Sequence, residues 1–415
     1  MYRKMKKIWK SLGPGIITGA SDDDPSGIAT YSQAGAQFGL DTLWTAWFSL
    51  PLMIVILEMF ARLSLVTSRG LAHNLKMFYP KWFLYAVIVL TFPAIVFNIG
   101  ADLAGMGAVA QLLFPEIPQL VFSFIFTIML IFSLLFLSYE WIAFLLKWLC
   151  LVLIIYFIVP FMVGLAWKDV FFASIIPNIR WDRDYLYIFV AIIGTTISPY
   201  LFFWQSSMSL EHKNHRKNEV SAKIEKNEMQ LDICFGMTIS NLVMFFIILT
   251  TASVLYPAGI KDIETVEQAA QALKPLVGHW AYSLFALGVI GTGFLAIPVL
   301  AGSIAYFFSD TFGYAGAMDR RWDEAKGFYS IMIGAIVFGF LLSALEINPV
   351  HSLIYTAVIY GLTCPIFIGL ILHMCNNRKI MHNFTNGRCT NFFGIIAFLL
   401  TGAAAFALVV LLLFS

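Results

Sequence analysis

Charged residues are scarce in this sequence. Asp, Glu, Lys and Arg make up 12% of its 415 residues, half of the ~25% that a soluble domain carries. The hydrophobic share is 60%, with 39 Phe and 11 Trp. So few charges cannot cover a water-facing surface, which excludes a soluble globular protein. The net charge is only +2, and the basic residues lie between apolar runs, which excludes a nucleic-acid partner.

Reactive cysteines and catalytic motifs are also lacking. The five cysteines form no C-x-x-C pair, and three of them lie inside apolar runs, which predicts free thiols and no zinc site. No H-E-x-x-H, Walker A or G-x-S-x-G motif is present, so a membrane protease, a pump ATPase and a lipase lack support. We therefore expect neither an enzyme nor a resident cofactor, and no obligatory protein partner.

Long apolar runs are what the sequence does contain. A helix needs about 20 mostly apolar residues to span a bilayer. Eleven such runs predict an all-α integral membrane protein in contact with the lipid bilayer. They cover approximately residues 12–38, 43–66, 82–112, 118–138, 141–167, 185–209, 229–256, 279–312, 326–345, 350–375 and 391–414.

Lys and Arg are distributed unevenly between these runs. Cytoplasmic segments of membrane proteins carry an excess of both. With the N-terminus inside, the inner segments hold nineteen of the 26 basic residues and the outer segments five, while Arg62 and Lys147 lie within spans. This predicts a cytoplasmic N-terminus and an outer C-terminus. The basic N-terminal segment lacks a cleavage site, and the compact chain fits a multi-pass protein of a bacterial inner membrane.

The first span contains three adjacent aspartates near its centre, in the sequence GPGIITGASDDDPSGIATYSQAG. A carboxylate at this depth costs about 2.5–3.5 kcal/mol and indicates function. Pro25 follows Asp24 directly and disfavours helix at the residue before it. We therefore predict two half-helices around an unwound stretch that lines a cavity. The alternative, an outer loop at Asp22–Asp24, would leave segments too short to span the bilayer.

The sixth span is interrupted near its centre by Gly194, Thr195, Thr196, Ser198 and Pro199. Pro199 frees a carbonyl about four residues upstream, near Thr195. Breaks at matching positions of two halves point to a midplane site between inverted repeats. We predict one transmembrane domain over residues 1–415, with repeats at about 12–167 and 185–375 and an extra helix at 391–414. Half-helix C-termini favour a cation, and oxygen ligands favour Mg²⁺, Ca²⁺ or Mn²⁺.

Three segments resemble the NRAMP family of divalent-metal transporters. GPGIITGASDDDPSG is similar to the family's G-P-G start and D-P-G-N motif, and ARLSLVTSRGLA (61–72) to the end of its second span. Asp102-Leu103-Ala104 matches its D-L-A element. The resemblance covers most of the chain and is strongest in spans one to three. It implies a LeuT-like fold with two inverted five-helix repeats, whose first and sixth helices are broken.

Four departures from the family pattern bear on the substrate. Gly27 stands at the family's asparagine ligand, Ser198 at its methionine and Tyr200 at the histidine associated with proton movement. Ile95 and Gly105 stand near the places of its third-span glutamates. The pattern is most similar to the NRAMP-related magnesium transporters. A site without the soft sulfur and the bulky amide suits a partly hydrated Mg²⁺ ion, and Mn²⁺ should pass as well.

The predicted site combines both breaks. Candidate metal ligands are Asp24, Ser21, Gly27, Thr195 and Ser198. Candidate surrounding or pathway residues are Asp22, Asp23, Pro25, Pro199, Tyr200, Asn98, Asp102 and Gln205. For Asp102 a buried hydrogen bond to Asn98 is as favourable an interpretation as a proton or gating role.

The sequence thus predicts a secondary transporter for Mg²⁺ and also Mn²⁺, with weak or no proton coupling. One alternative is proton-coupled uptake of Mn²⁺ or Fe²⁺, as the family resemblance implies. Another is a sodium-coupled amino-acid or other organic-solute transporter on the same fold, although three aspartates beside the break would repel a substrate carboxylate. A membrane enzyme or a sensor that does not transport is a further alternative, without a supporting motif.

Overall fold

The computed structural model describes residues 14–136, 155–215, 222–314, 316–318, 320–345 and 347–414, and every regular element over these residues is helical. The first predicted span consists of α1 (Pro14–Asp22) and α2 (Pro25–Phe38). The other α-helices are α3 (Trp44–Thr67), α4 (Leu71–Phe78), α5 (Lys81–Leu113), α6 (Gln119–Phe136), α7 (Ile155–Met162), α8 (Trp167–Ile175), α9 (Arg183–Thr196), α10 (Pro199–His215), α11 (Ala222–Val254), α12 (Val266–Ala270), α13 (Lys274–Val277), α14 (Ala281–Phe312), α15 (Lys326–Ser343), α16 (Pro349–Asn376), α17 (Arg378–Met381) and α18 (Arg388–Phe414). Three short 3-10 helices cover Gly39–Thr42, Gln271–Leu273 and Gly278–Trp280.

Nine helices within the described residues are long and apolar enough to cross a membrane. They correspond to nine of the eleven predicted spans, and the broken sixth span is one of them because only two residues separate α9 from α10. The first span is not among the nine because its halves have 9 and 14 residues. The predicted fifth span, 141–167, lies mostly outside the described residues. The division into two repeats stays a prediction.

A proline stands at both breaks. Pro25 is the first residue of α2 and Pro199 the first residue of α10. Proline lacks the N–H that a helix interior needs, but the first turn of a helix does not use that donor. Each proline therefore suits the start of the second half-helix. Other prolines lie inside continuous helices, namely Pro51, Pro93, Pro298 and Pro365, so the breaks also depend on the polar residues that precede Pro25 and Pro199. The predicted interruption of the first and sixth spans is confirmed.

Close helix crossings bring the two breaks together. Helix α11 packs along α1, α2 and α3, and α9 packs along α16 and α2. At the crossing of α9 and α16, a Cβ atom on Gly194 would lie 2.9 Å from the Cα of Gly361 and closer still to the carbonyl of Ala357. Only glycine allows this approach. The end of α9 therefore lies beside the start of α2, in the middle of the bundle.

A buried ion pair anchors the inner end of α3. Arg62 Nε lies 3.0 Å from Glu58 Oε1, one helical turn away. Arg62 also donates to the Phe384 carbonyl at 2.8 Å and to Asn386 Oδ1 at 2.5 Å. Gln230 of α11 donates to Glu58 at 3.2 Å. The pair thus connects α3, α11 and the segment before α18, and both of its charges are satisfied although they are buried.

Removal of Arg62 should therefore destabilise the fold strongly. Breaking a buried pair leaves one uncompensated charge and costs about 3–5 kcal/mol. We expect Arg62→Ala to lower the melting temperature in detergent by many degrees. The control is Arg321→Ala, because Arg321 lies 3.6 Å from Asp323 in a pair whose side chains are 83% and 66% exposed, and such pairs contribute about 0–1 kcal/mol. Equal melting temperatures for the two variants would contradict this interpretation.

Candidate cation site

Asp24 is fixed between the two half-helices of the first span. It is the N-cap of α2, and its Oδ1 accepts a hydrogen bond from the Gly27 N–H at 2.6 Å. Its Oδ2 accepts from Asn98 Nδ2 of α5 at 3.1 Å. Aspartate is among the best N-cap residues because its carboxylate satisfies a free N–H of the first turn. A carboxylate has about four acceptor positions, so capacity for a cation remains.

The broken sixth span contributes a hydroxyl and two carbonyls. The Ser198 hydroxyl donates to the carbonyl oxygens of Thr195 at 2.7 Å and Gly194 at 2.9 Å. It thereby satisfies the C-terminal end of α9, whose carbonyls lack helical partners. The lone pairs of Ser198 Oγ stay available as a hard oxygen ligand. Tyr200, at the start of α10, donates its hydroxyl to the Ser21 carbonyl at 2.9 Å and so connects α10 to α1.

The space around Gly27 explains why no larger side chain stands there. A Cβ atom on Gly27 would lie 3.2 Å from the Asp22 carbonyl oxygen and 3.2 Å from Thr195 Oγ1. Both contacts are tighter than ordinary van der Waals distance. The two breaks therefore lie close together at Gly27, and an asparagine at this position would require its neighbours to move.

Asp22 and Asp23 face a different helix. The Ser240 hydroxyl of α11 lies 2.8 Å from Asp22 Oδ2 and 3.4 Å from Asp23 Oδ1. Beside them, the hydroxyls of Tyr31 and Thr196 are 3.2 Å apart. The two aspartates thus form a polar cluster between α1 and α11, behind Asp24. Ser240 was not predicted from the sequence, although the Ser240-Asn241 pair inside the apolar seventh span was a signal.

Asp102 does not form the hydrogen bond to Asn98 that one interpretation expected. The Asn98 amide donates to Asp24 instead. Among the described residues, neither carboxylate oxygen of Asp102 has a hydrogen-bond partner, although the residue is completely buried. Asn98 and Asp102 are four residues apart on α5 and therefore lie on one face of that helix.

Neutral hydrogen bonds connect α1 to α10 on one side of the breaks. The Thr18 hydroxyl of α1 donates to Gln205 Oε1 of α10 at 2.6 Å, and Gln205 Nε2 donates to Ser209 at 3.1 Å. The hydroxyls of Ser64 and Ser206 are also hydrogen-bonded to each other. Gln205 thus holds α1 against α10, and its role on the ion pathway stays a prediction.

Gln33 holds a loop at the opposite end of α2 from the break, which is the outer end in the predicted orientation. Gln33 Nε2 donates to the Lys261 carbonyl at 3.0 Å, and its Oε1 accepts from the Ile263 N–H at 2.8 Å. Ile263 is buried under this loop. Between the loop and Pro25 lies a narrow, largely apolar cavity of about 20 Å³, which has room for roughly one water molecule.

The structure thus gathers one set of predicted residues around the breaks, namely Asp24, Ser21, Gly27, Thr195, Ser198, Pro25, Pro199, Tyr200 and Asn98. Over the described part of the chain, no group of three or more His, Cys, Asp or Glu side chains is arranged to hold a metal. A cation at Asp24 would be bound by one carboxylate together with carbonyls, hydroxyls and water.

The site thus belongs to an all-helical membrane protein in which two helices are broken beside the buried carboxylate of Asp24. Solved structures share this fold. The Eremococcus coleocola manganese transporter has a TM-score of 0.75 at 18% identity, over 96% of this chain and 86% of that one. Mhp1, a nucleobase-cation-symport-1 family transporter, has a TM-score of 0.60 at 14% identity, over 95% and 91%. These likenesses show the fold and confirm the predicted LeuT-like class.

The family follows from the sequence comparison. The natural resistance-associated macrophage protein-like family matches residues 15–411, and the chain belongs to this family. Two relatives are the divalent metal cation transporters MntH of Caldanaerobacter subterraneus subsp. tengcongensis and of Yersinia pestis, each 25% identical. The first comparison covers 95% of this chain and 91% of the relative, and the second covers 99% and 97%. The resemblance inferred from three short segments is confirmed.

Gln33 should control access from the outer side. Its hydrogen bonds to the loop at 261–263 contribute about 0.5–1.5 kcal/mol each, so Gln33→Ala should favour loop opening about tenfold or more. The measurement uses Ser32→Cys in a chain otherwise free of cysteine, because Ser32 lines the cavity. The rate at which a membrane-impermeant reagent labels this thiol reports opening of the loop. The control is Gln37→Ala, because Gln37 bonds to Gln33 and forms no hydrogen bond with the loop in the described residues. An unchanged labelling rate in Gln33→Ala would disprove this role.

Proposed function

We propose that this protein transports divalent cations across the membrane, Mg²⁺ foremost and Mn²⁺ as well, with weak or no proton coupling. The observation that carries the proposal is the ligand chemistry at the two breaks. Asp24 supplies one carboxylate, and Ser198 supplies a hydroxyl next to half-helix carbonyls. None of the residues hydrogen-bonded to Asp24 or Ser198 in the described structure carries sulfur or imidazole. Hard oxygen ligands of this kind suit Mg²⁺ and Mn²⁺.

The relatives support the class of substrate. The MntH proteins are described as divalent metal cation transporters, and the structural neighbour is a manganese transporter. At 25% identity or less, the choice among divalent ions rests on the site of this chain. Here Gly27 and Ser198 stand where the family pattern has an asparagine and a methionine, so the site has lost an amide and a soft thioether.

Weak ligation favours an ion that keeps water. The carbonyls of Ser21 and Thr195 accept hydrogen bonds from Tyr200 and Ser198, and a carbonyl oxygen has two lone pairs in total. Mg²⁺ loses its water reluctantly and is usually held by one or two carboxylates with several waters. A single fixed carboxylate beside partly used carbonyls therefore supports binding of a partly hydrated Mg²⁺ ion.

The proposed lack of proton coupling rests on Tyr200. A tyrosine hydroxyl does not exchange its charge near neutral pH as a histidine imidazole does. Its hydrogen bond to the Ser21 carbonyl also gives it a mechanical role between α10 and α1. In the proposed cycle the two sides open in turn. On the inner side α1 and α10 separate when the Thr18–Gln205 bond breaks, and in the other half of the cycle the Gln33 loop opens on the outer side.

We also propose that the protein lies in the plasma membrane, with a cytoplasmic N-terminus and an outer C-terminus.

One observation favours a second candidate function, proton-coupled uptake of Mn²⁺ or Fe²⁺. Asp102 is a buried carboxylate without a hydrogen-bond partner in the described residues, and such a group is a candidate proton carrier. The sodium-coupled organic-solute alternative has less support. The likeness to Mhp1 concerns the fold alone, and a substrate carboxylate would meet Asp22, Asp23 and Asp24 at the break.

Asp24→Asn tests the proposed site. Asparagine is as good an N-cap as aspartate, so the variant should fold while losing the charge that binds the ion. We expect Mg²⁺ uptake into proteoliposomes, read by an internal magnesium dye, to fall about 100-fold, the upper end of the effects known for groups that support a metal. The control is Asp182→Asn, because Asp182 caps α9 in the same way, accepting from the Tyr185 N–H at 2.8 Å outside the site.

A pH dye in the same vesicles separates the two candidate functions. Mg²⁺ entry without acidification supports uncoupled transport. Mn²⁺ entry with strong acidification, and no Mg²⁺ entry, would overturn the proposal in favour of the proton-coupled alternative.

Ser198→Met should restore a preference for soft metals. Thioether sulfur binds Cd²⁺ far better than Mg²⁺, so Cd²⁺ should inhibit uptake by this variant at roughly tenfold lower concentration than in the wild type. The matched control is Ser198→Leu, which loses the same hydroxyl and adds similar bulk without sulfur. Equal Cd²⁺ sensitivity of the Met and Leu variants would contradict the assignment of Ser198 to the ion site.

A further inference from the structure

Several buried oxygen atoms near Asp24 lack a hydrogen-bond partner. They lie on three different helices and are at most 2% exposed. They are Ser26 Oγ of α2, Asn98 Oδ1 and both carboxylate oxygens of Asp102 on α5, and Tyr360 Oη of α16. Buried polar groups in native proteins are nearly always satisfied by protein or by ordered water. Several unsatisfied oxygens in one place therefore indicate a missing polar ligand.

The residues that carry these oxygens lie near one another and near Asp24. The Tyr360 hydroxyl lies next to the Asn98 side chain and within electrostatic reach of Asp24 and Asp102. Ser26 is close to both aspartates, through its side chain to Asp24 and through its backbone N–H to Asp102. The Tyr360 ring packs beside the ring of Tyr200, with 5.8 Å between centroids. The set thus lies close to Asp24, and Asn98 of the set bonds to the carboxylate oxygen that the helix cap does not use.

The chemistry of the set matches a hydrated cation. Water bound to a metal ion turns its oxygen toward the ion and its two hydrogens outward, so the surrounding protein must accept hydrogen bonds. Every unsatisfied atom in this set is an oxygen that can accept a hydrogen bond. Water-mediated hydrogen bonds are nearly as favourable as direct ones, and Mg²⁺ keeps its water more strongly than other divalent ions do.

We propose that Ser26, Asn98, Asp102 and Tyr360 bind the water shell of the cation held at Asp24, and that Tyr360 is a specificity-determining residue for hydrated Mg²⁺. This inference rests on the proposed function and adds the residues that select the hydrated ion. Tyr360 was not visible as a site residue in the sequence, where it is one of 16 tyrosines. The hydroxyl, and not the ring, is the group that acts, because the ring is already packed against Tyr200.

Tyr360→Phe isolates the hydroxyl, because the ring and its packing stay. One hydrogen bond to a hydrated ion corresponds to about a three- to tenfold change in affinity. We expect the KM for Mg²⁺ to rise by that factor, with little change in kcat and a smaller change in the KM for Mn²⁺. The control is Tyr156→Phe. The hydroxyl of Tyr156 is also buried and without a hydrogen-bond partner in the described residues, but it lies on α7, which contributes no residue to the candidate site.

Hexaamminecobalt(III) gives a second readout that does not depend on turnover. Its ligands do not exchange, and its outward N–H groups imitate the water shell of Mg²⁺. It should inhibit the wild type competitively and inhibit Tyr360→Phe and Asp102→Asn several-fold less. A wild-type protein without Mg²⁺ uptake would overturn the proposed function and this inference together. Wild-type Mg²⁺ uptake with the same KM values and the same cobalt inhibition in Tyr360→Phe would overturn this inference alone.

Discussion

The structure depends on how the break at Asp24 and Pro25 is satisfied inside the membrane. Hydrocarbon offers no hydrogen bonds, so every backbone group that the break frees must find a partner in the protein. Asp24 satisfies the first turn of α2, Ser198 satisfies the last turn of α9, and Tyr200 takes the carbonyl at the end of α1. The residues that make the breaks tolerable are thus the same residues that form the candidate cation site.

The coarse features were predictable because they follow from local chemistry. The length of the apolar runs marked the spans. Pro25 and Pro199, each next to polar residues inside an apolar run, marked the two breaks. The three adjacent aspartates marked the site because charge is so costly at that depth. The family resemblance followed from motifs in the first three spans, and the family match confirms it.

The partners of these residues were not predictable in the same way. Ser240, Tyr360 and Gln33 reach the site or its entrance from helices whose rotation and crossing are set by packing, as at the Gly194–Gly361 contact. A sequence with no strong polar face gives no signal of which side of such a helix points inward. Of the two interpretations of Asp102, the hydrogen bond to Asn98 is not found for the same reason, since the amide of Asn98 faces the first span.

The small amount of charge at the two proposed closures has a further consequence. Gln33 and the Thr18–Gln205 pair are amides and a hydroxyl, and the charged side chain that bonds to Gln33 is that of the exposed Asp262. The membrane potential therefore exerts little force on either closure and acts mainly on the ion. Each elementary charge that crosses 100 mV gains about 2.3 kcal/mol, so an uncoupled divalent ion gains roughly twice that, enough for more than a thousandfold accumulation. The voltage across the bilayer could then take the place of a proton gradient as the energy source for uptake.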